Sequence, residues 1–102
     1  MRKMEIKDYM VKQGEIDMPY FVKESIINTL FHPDLKLDHV ELLKANKLAD
    51  KINDCKDDFI LLENEEYNRI KKAIGVVKGL TRHDVKLVEM INNAEIVKVK
   101  EE

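Results

Sequence analysis

The fold of this chain is decided by residues 58–94, DFILLENEEYNRIKKAIGVVKGLTRHDVKLVEMINNA. The apolar run at 59–62 is short enough to be a buried strand, and the residues after it change to a helical period. Asn64 is a candidate cap for the first helix, Gly79 fits the left-handed residue that ends it, and Thr81 opens a second helix. The positions predicted to be buried are Tyr67, Ile70, Ile74 and Val77 in the first helix, and Val85, Val88 and Ile91 in the second, with Leu87 and Ala94 beside them.

A β-hairpin is predicted before this stretch, over residues 6–19. Its residues alternate loosely between apolar and polar, and Gly14 supplies the positive φ that a tight turn needs. Pro19 cannot donate to a ladder, so it should close the second strand. The residues expected to share a face are Tyr9 and Val11 in the first strand, and Ile16, Met18 and Tyr20 in the second.

Two further helices are predicted between the hairpin and residue 58. Residues 20–31 have apolar side chains at helical spacing, and the helix should stop before Pro33. Asp38 and Glu41 form a capping-box pattern that opens a helix through about Asn53. Its predicted apolar face is Leu42, Ala45, Leu48, Ala49 and Ile52. A last strand is predicted through Ile96, Val97 and Val99.

The predicted order is therefore β-β-α-α-β-α-α-β. It defines an α+β fold in which a small, mostly antiparallel sheet carries about four helices on one face. A chain of 102 residues is a single domain on length alone, so the domain is expected to span residues 1–102.

Composition excludes some classes of function. The 18 basic and 20 acidic residues give a net charge of −2, which provides no global attraction to nucleic acid or to an anionic membrane. Cys55 is the only cysteine, so no intrachain disulfide can form. No secretory signal pattern or long apolar run is present, which predicts a cytoplasmic protein without a membrane span.

Few side chains are arranged for catalysis or metal binding. Acidic residues around Cys55 disfavour its reactive thiolate, and Ser25 lies within a helical apolar stripe. The potential metal ligands that lie close together in the sequence are His32, Asp34, Asp38 and His39. Their spacing matches no zinc signature. We therefore expect a protein without catalytic activity, cofactor or bound metal.

A helix-turn-helix over residues 64–93 is one candidate for function. The residues that occupy its spacing are Gly75, Gly79, Leu80, Val85 and Val88. The residues that would meet DNA are Thr81, Arg82, His83 and Lys86. Lys78 stands where the pattern requires an apolar residue, and Leu87 falls on the face presented to DNA. Three acidic residues at the start of the first helix also oppose phosphate contacts.

Residues 59–70, FILLENEEYNRI, resemble the strand-then-helix segment of small antitoxins of the Phd type. The resemblance covers these residues and no functional motif. It implies a strand followed by a helix.

Protein–protein contact is the function that the sequence favours. Methionines and aromatic residues concentrate in the N-terminal half, and strands at both ends of the domain leave sheet edges that another chain could extend. The residues predicted to contact a partner are Tyr9, Met10, Tyr20 and Phe21. We expect a non-catalytic protein that binds a protein partner or a second copy of itself, of the kind common among accessory or structural proteins of phages and mobile elements. DNA binding through residues 64–93 is the alternative.

Overall fold

Five strands, four α-helices and two short 3-10 turns follow one another along residues 1–97, the part of the chain that the computed structural model describes. The predicted α+β class is confirmed, and the predicted order is correct apart from one additional strand. The strands form two small antiparallel sheets, whereas a single small sheet was predicted. The strands are β1 (Arg2–Glu5), β2 (Tyr9–Gln13), β3 (Ile16–Tyr20), β4 (Phe59–Leu62) and β5 (Glu95–Ile96). The helices are α1 (Val22–Leu30), α2 (His39–Asp54), α3 (Asn64–Val76) and α4 (Val85–Asn92), and the 3-10 turns span Pro33–Leu35 and Arg82–Asp84.

The additional strand, β1, lies at the centre of a three-stranded antiparallel sheet with the order β4-β1-β5. Its sequence is mostly charged, and Met4 is the residue that marks its inner face. Met4 is fully buried and lies opposite Ile60 of β4. With a single apolar residue, β1 has no alternating pattern of its own, which is why the sequence did not reveal it.

The predicted hairpin forms a separate two-stranded sheet of β2 and β3. Gly14 has the expected positive φ, at 69°. Gln13 and Ile16 flank a two-residue loop and form a hydrogen-bonded pair. Hydrogen-bonded and non-hydrogen-bonded pairs alternate along the ladder, so the pair of Met10 and Pro19 is not hydrogen-bonded. Pro19 therefore removes no ladder hydrogen bond, and β3 continues to Tyr20.

The run at 59–62 forms the predicted strand, but only one of its two faces is buried. Ile60 and Leu62 are 4% and 0% exposed, but Phe59 and Leu61 are 46% and 47% exposed. Helices cover only one face of this sheet, so its strands bury every second residue. Phe59 and Leu61 belong to the open face.

The helices α1 and α2 lie close to their predicted positions. In α1, the first backbone N–H, that of Val22, donates to the Asp8 carboxylate across 2.8 Å. The predicted cap of α2 is confirmed, because the Glu41 N–H donates to the Asp38 carboxylate, also across 2.8 Å. The apolar face of α2 is as expected except for Leu42, which is 47% exposed. Leu42 lies in the first turn of α2, before the buried positions begin at Ala45.

The beginnings of α3 and α4 differ from the prediction. Glu63, not Asn64, is the residue before α3, and its N–H donates to the Glu66 carboxylate across 2.9 Å. The helix ends at Val76, so Gly79, with φ of 90°, shapes the connection after the helix.

The start of α4 is displaced because the Arg82–Asp84 turn precedes it. Val85 is consequently 51% exposed, and the prediction that it lines the core was wrong. The buried residues of α4 are Leu87, Met90 and Ile91. The predicted last strand is confirmed at Ile96 but ends there, so the prediction that it includes Val97 was wrong, and Val99 lies outside the described residues.

One cluster of apolar side chains joins the inner face of the three-stranded sheet to the four helices. Helices α3 and α4 contact strands β4 and β1, respectively, and α1 packs on α2 and α3. Among the described helices, none is both long enough and apolar enough to cross a lipid bilayer.

Candidate functional site

The β2–β3 hairpin, residues 9–20, is attached to the rest of the domain at its base, and we call it the arm. The rings of Tyr9 and Tyr20 stack at this base with their centroids 4.6 Å apart. The Tyr9 hydroxyl donates to the carbonyl oxygen of His83 across 2.7 Å, and the Tyr20 hydroxyl donates to the Asp84 carboxylate. The two tyrosines therefore fasten the arm to the Arg82–Asp84 turn.

Two further contacts support the same attachment. A ring nitrogen of His83, Nε2, lies 3.1 Å from the carbonyl oxygen of Lys12, on the outer edge of β2. The ammonium group of Lys86 lies 5.0 Å above the Tyr9 ring, within the range of a cation–π interaction. Residues from the two predicted sites, one for a protein partner and one for DNA, thus meet in one place.

A groove runs between the outer edge of β2 and the start of α4, and we call it the arm groove. Its lining consists of Tyr9, Met10, Val11 and Lys12 from β2, Arg82 and His83 from the turn, and Val85, Lys86 and Glu89 from α4. Met10 and Val85 are 61% and 51% exposed, so the groove offers apolar surface to solvent. The groove is also bordered by the outer main-chain edge of β2.

The electrostatic character of the arm groove is basic. The cations Lys12, Arg82 and Lys86 line it together with one carboxylate, that of Glu89. Within residues 1–97, these three cations make no ion pair with an acidic side chain. A chain with a net charge of −2 therefore concentrates positive charge here.

The two phenols at the base of the arm remain neutral under ordinary conditions. Burial raises the pKa of Tyr9. Burial, together with the hydrogen bond to the Asp84 carboxylate, also raises the pKa of Tyr20. Both hydroxyls consequently keep, near neutral pH, the proton that they donate.

Beyond its base, the arm is accessible on both faces. All residues from 12 to 19 are exposed, including Ile16 at 66% and Met18 at 43%. Pairing places Met18 opposite Val11 and Ile16 opposite Gln13, on the same face as the stacked tyrosines. The arm thus keeps Ile16 and Met18 exposed to solvent beyond the tyrosines.

The four residues predicted to contact a partner have different roles. Tyr9 and Tyr20 are half-buried and hold the arm, whereas Met10 is exposed beside the groove. Phe21 is 53% exposed but precedes α1 and lines a separate depression. The structure therefore brings together three of the four.

The four residues predicted to contact DNA also separate. The Thr81 N–H donates to the Asp84 carboxylate across 2.8 Å, which orders the turn. His83 and Lys86 contact the arm, and Arg82 is exposed. A Cβ added to Gly75 would meet nothing within 4 Å, so the close helix approach that requires a small residue there is not made.

The remaining chemical candidates have structural partners. The Cys55 thiol lies 3.4 Å from the carbonyl oxygen of Phe59, and the Ser25 hydroxyl donates to the carbonyl of Phe21 across 2.8 Å. The ring of His32 accepts from the Asp34 N–H, and Asp38 caps α2. Over the described residues, no three His, Cys, Asp or Glu side chains are grouped so as to hold a metal ion.

Comparison with known proteins gives no relative: no family model, no curated protein and no solved structure matches this chain. The arm and its groove are therefore interpreted from their own chemistry.

Sequence reasoning missed several residues of this site. Lys12, Val85 and Glu89 enter the groove only because the arm docks beside α4. Ile16 and Met18 were assigned to one face of the hairpin, but only the structure shows that both remain exposed, at 66% and 43%. A signal in the sequence was the position of Ile16 two residues after Gly14, at the tip of the predicted hairpin.

Proposed function

We propose that this chain is a non-catalytic binding protein that recognises a protein partner with the arm and the arm groove. The observation that carries the proposal is the exposure of Met10, Ile16 and Met18 on an arm whose base is fixed. Exposed apolar surface of this kind marks interaction sites, and methionine adapts to irregular partner surfaces. Because the stacked tyrosines already order the arm, binding would cost less conformational entropy.

The groove also indicates the chemistry of the partner. Pairing within the hairpin turns the N–H and C=O groups of Met10 and Lys12 toward the groove. The Lys12 carbonyl oxygen is already in contact with the His83 ring. The groups of Met10 remain available to an extended segment that adds beside β2. Carboxylates on that segment would meet Arg82 and Lys86, and its apolar residues would meet Met10 and Val85.

Selection from a random-peptide display library, with this protein as bait, tests the proposal. We expect the enriched peptides to combine acidic and apolar residues, and their affinity to fall as the salt concentration rises. Arg82→Glu should weaken binding at least tenfold, about 1.4 kcal/mol. The control is Lys47→Glu, which makes the same charge change at an exposed position of α2. Failure to enrich any peptide, or equal binding by Arg82→Glu and Lys47→Glu, would contradict the proposal.

DNA binding through residues 64–93 stays a prediction. Of the residues predicted to contact DNA, His83 and Lys86 already contact the arm, which leaves Arg82 as the basic residue free of such a contact among the described residues. Titration of duplex DNA at low and high salt decides the matter. Saturable, salt-sensitive binding that is lost in Arg82→Ala and in Lys86→Ala would favour DNA over a protein partner.

A further inference from the structure

The edges of the two sheets differ in how they are protected from other chains. The outer edge of β3 carries Pro19, which has no N–H to offer, and the outer edge of β2 is partly occupied by His83. At one edge of the three-stranded sheet, β5 has only two residues. At the other edge, β4 carries no charge, proline or glycine. Natural proteins normally protect such an edge.

The hydrogen bonds of β4 show which groups face outward. The Ile6 N–H donates to the Asp58 carbonyl across 2.8 Å, so Ile6 and Asp58 form a hydrogen-bonded pair. By alternation, Ile60 and Leu62 bond to β1. The N–H and C=O groups of Phe59 and Leu61 therefore point away from β1, into the open edge.

Only one described group reaches these outward atoms. The thiol of Cys55 lies 3.4 Å from the Phe59 carbonyl oxygen. Cys55 packs against the apolar core, so it approaches from the covered side of the sheet. A carbonyl oxygen has two lone pairs and can accept a second hydrogen bond. Main-chain pairing along β4 therefore remains possible.

The side chains beside this edge are also apolar. Phe59 and Leu61 lie on the open face of the sheet, nearly half exposed. The ammonium group of Lys3 lies 4.7 Å above the Phe59 ring. The aliphatic part of the Lys3 side chain therefore covers part of that ring. The edge thus joins unpaired main-chain groups to an apolar surface.

We propose that β4 pairs in antiparallel fashion with β4 of a second copy of this chain, about a two-fold axis at Ile60. Phe59 then lies opposite Leu61 of the second copy, and Leu61 opposite Phe59. Each of these pairs exchanges two main-chain hydrogen bonds, because both residues point their N–H and C=O groups outward. The two three-stranded sheets become one sheet of six strands.

Self-complementarity identifies a second copy as the occupant of this edge. A two-fold interface must bring the same patch against itself, and an antiparallel pair of identical strands does so. In this register, every apolar side chain on the open face of β4 meets another apolar side chain across the interface. The open face of the joined sheets would therefore carry a continuous apolar strip across the two-fold axis.

Charge at the ends of β4 predicts how salt affects the association. The register that centres on Ile60 brings Asp57 toward Glu63 of the second copy, and these like charges repel. Salt screens the repulsion, so association should become stronger as the salt concentration rises. Binding of an acidic partner in the arm groove should have the opposite dependence. The β4 edge and the arm groove are different surfaces, so failure of either proposal leaves the other intact.

Sedimentation equilibrium of the full chain tests the proposal. We expect a reversible monomer–dimer equilibrium that salt strengthens. Leu61→Pro removes an N–H that bonds to nothing in β1, and Leu61→Lys adds a charge at the edge. Either variant should weaken dimerisation at least tenfold, about 1.4 kcal/mol. The control is Leu43→Lys, at an α2 leucine that is 64% exposed. A wild-type chain that stays monomeric at all concentrations would overturn the proposal, as would a dimer that Leu61→Lys leaves unchanged.

A disulfide trap tests the register. Two variants, Phe59→Cys and Leu61→Cys, are each made in a Cys55→Ser background and then mixed under mild oxidation. Opposed residues in an antiparallel pair have Cα atoms about 5.5 Å apart, which suits a disulfide. We expect the mixed dimer, identified by its mass, to exceed the sum of the two self-linked dimers, because random linking of equal amounts would give the mixed dimer a yield equal to that sum. A yield of the mixed dimer no greater than that sum would exclude the register that centres on Ile60.

Discussion

The hydroxyl of Tyr67 in α3 donates a hydrogen bond to the carbonyl oxygen of Ile91 in α4, across 2.7 Å. Both residues are buried, at 3% and 1% exposed. The bond joins two helices that are connected by a glycine-containing segment. It therefore fixes how α4 lies on α3, and with it the position of the Arg82–Asp84 turn that holds the arm.

Removing this hydroxyl should destabilise the domain. We expect Tyr67→Phe to lower the free energy of unfolding by about 1 kcal/mol, the usual value of a buried hydrogen bond. The ring keeps its packing, so no cavity forms. Urea denaturation followed by circular dichroism measures the change, and an unchanged midpoint would contradict the expected role of the bond.

Tyr20→Phe should loosen the arm and leave the core intact. The variant loses the hydrogen bond to Asp84 but keeps the stacking on Tyr9. Amide hydrogen exchange should become faster in β2 and β3, because local opening of the arm requires less free energy. Exchange of core amides in α3 serves as the internal control. Equal acceleration in both regions would mean that the tyrosine supports the whole fold and not the arm alone.

The same tyrosine predicts a loss of stability in alkaline solution. The folded protein raises the pKa of Tyr20 above the ordinary value of 10.0, mainly through burial and also through the Asp84 carboxylate. Above pH 10, the unfolded chain loses this proton more readily than the folded chain. The free energy of unfolding should therefore fall as the pH rises beyond 10. The decline should be shallower in Tyr20→Phe, where Tyr9 remains, and parallel curves for the two proteins would refute the assignment.

Neighbouring residues of β4 should respond very differently to truncation. Ile60→Ala creates a cavity under the sheet and should cost about 2–5 kcal/mol of unfolding free energy. Leu61 is 47% exposed, so Leu61→Ala should cost less than about 1 kcal/mol. Both are measured by chemical denaturation in dilute protein, where self-association contributes least. Similar losses would show that β4 is buried on both faces.

The helix caps offer a second matched comparison. Asp38→Ala removes the acceptor for the Glu41 N–H and should cost about 1 kcal/mol. Asn64 already lies inside α3 and makes no capping bond, so Asn64→Ala should change stability by less than about 0.5 kcal/mol. Thermal unfolding of both variants checks the difference. A larger loss of stability in Asn64→Ala than in Asp38→Ala would indicate that Asn64 caps α3.

The sequence predicted well the features that depend on a few neighbouring residues. The turn at Gly14 and the cap at Asp38 are local, because the residues that form each hydrogen bond lie within four positions of one another. The order of helices and strands followed from the periodicity of apolar residues. These features do not depend on what packs against them.

The features that were missed depend on distant parts of the chain. The exposure of Leu61 was not visible in the sequence, because it depends on which face of the sheet the helices cover. The strand at Arg2–Glu5 exists because β4 and β5 flank it. In the candidate site, Tyr9 and Met10 were separated from Arg82 and Lys86 by most of the chain, and no local pattern connects the arm to the start of α4.

The central position of β1 affects when the domain can fold during synthesis. Met4 leaves the ribosome long before its cross-strand neighbour Ile60, and longer still before Ile96, which pairs with Arg2. At the usual ~5–20 residues per second, the sheet stays incomplete for on the order of ten seconds. Closure of the sheet requires contacts between residues far apart in sequence, which slows folding. The nascent chain therefore keeps β1 unpaired until β4 has been synthesised, and chaperones have this interval in which to bind it.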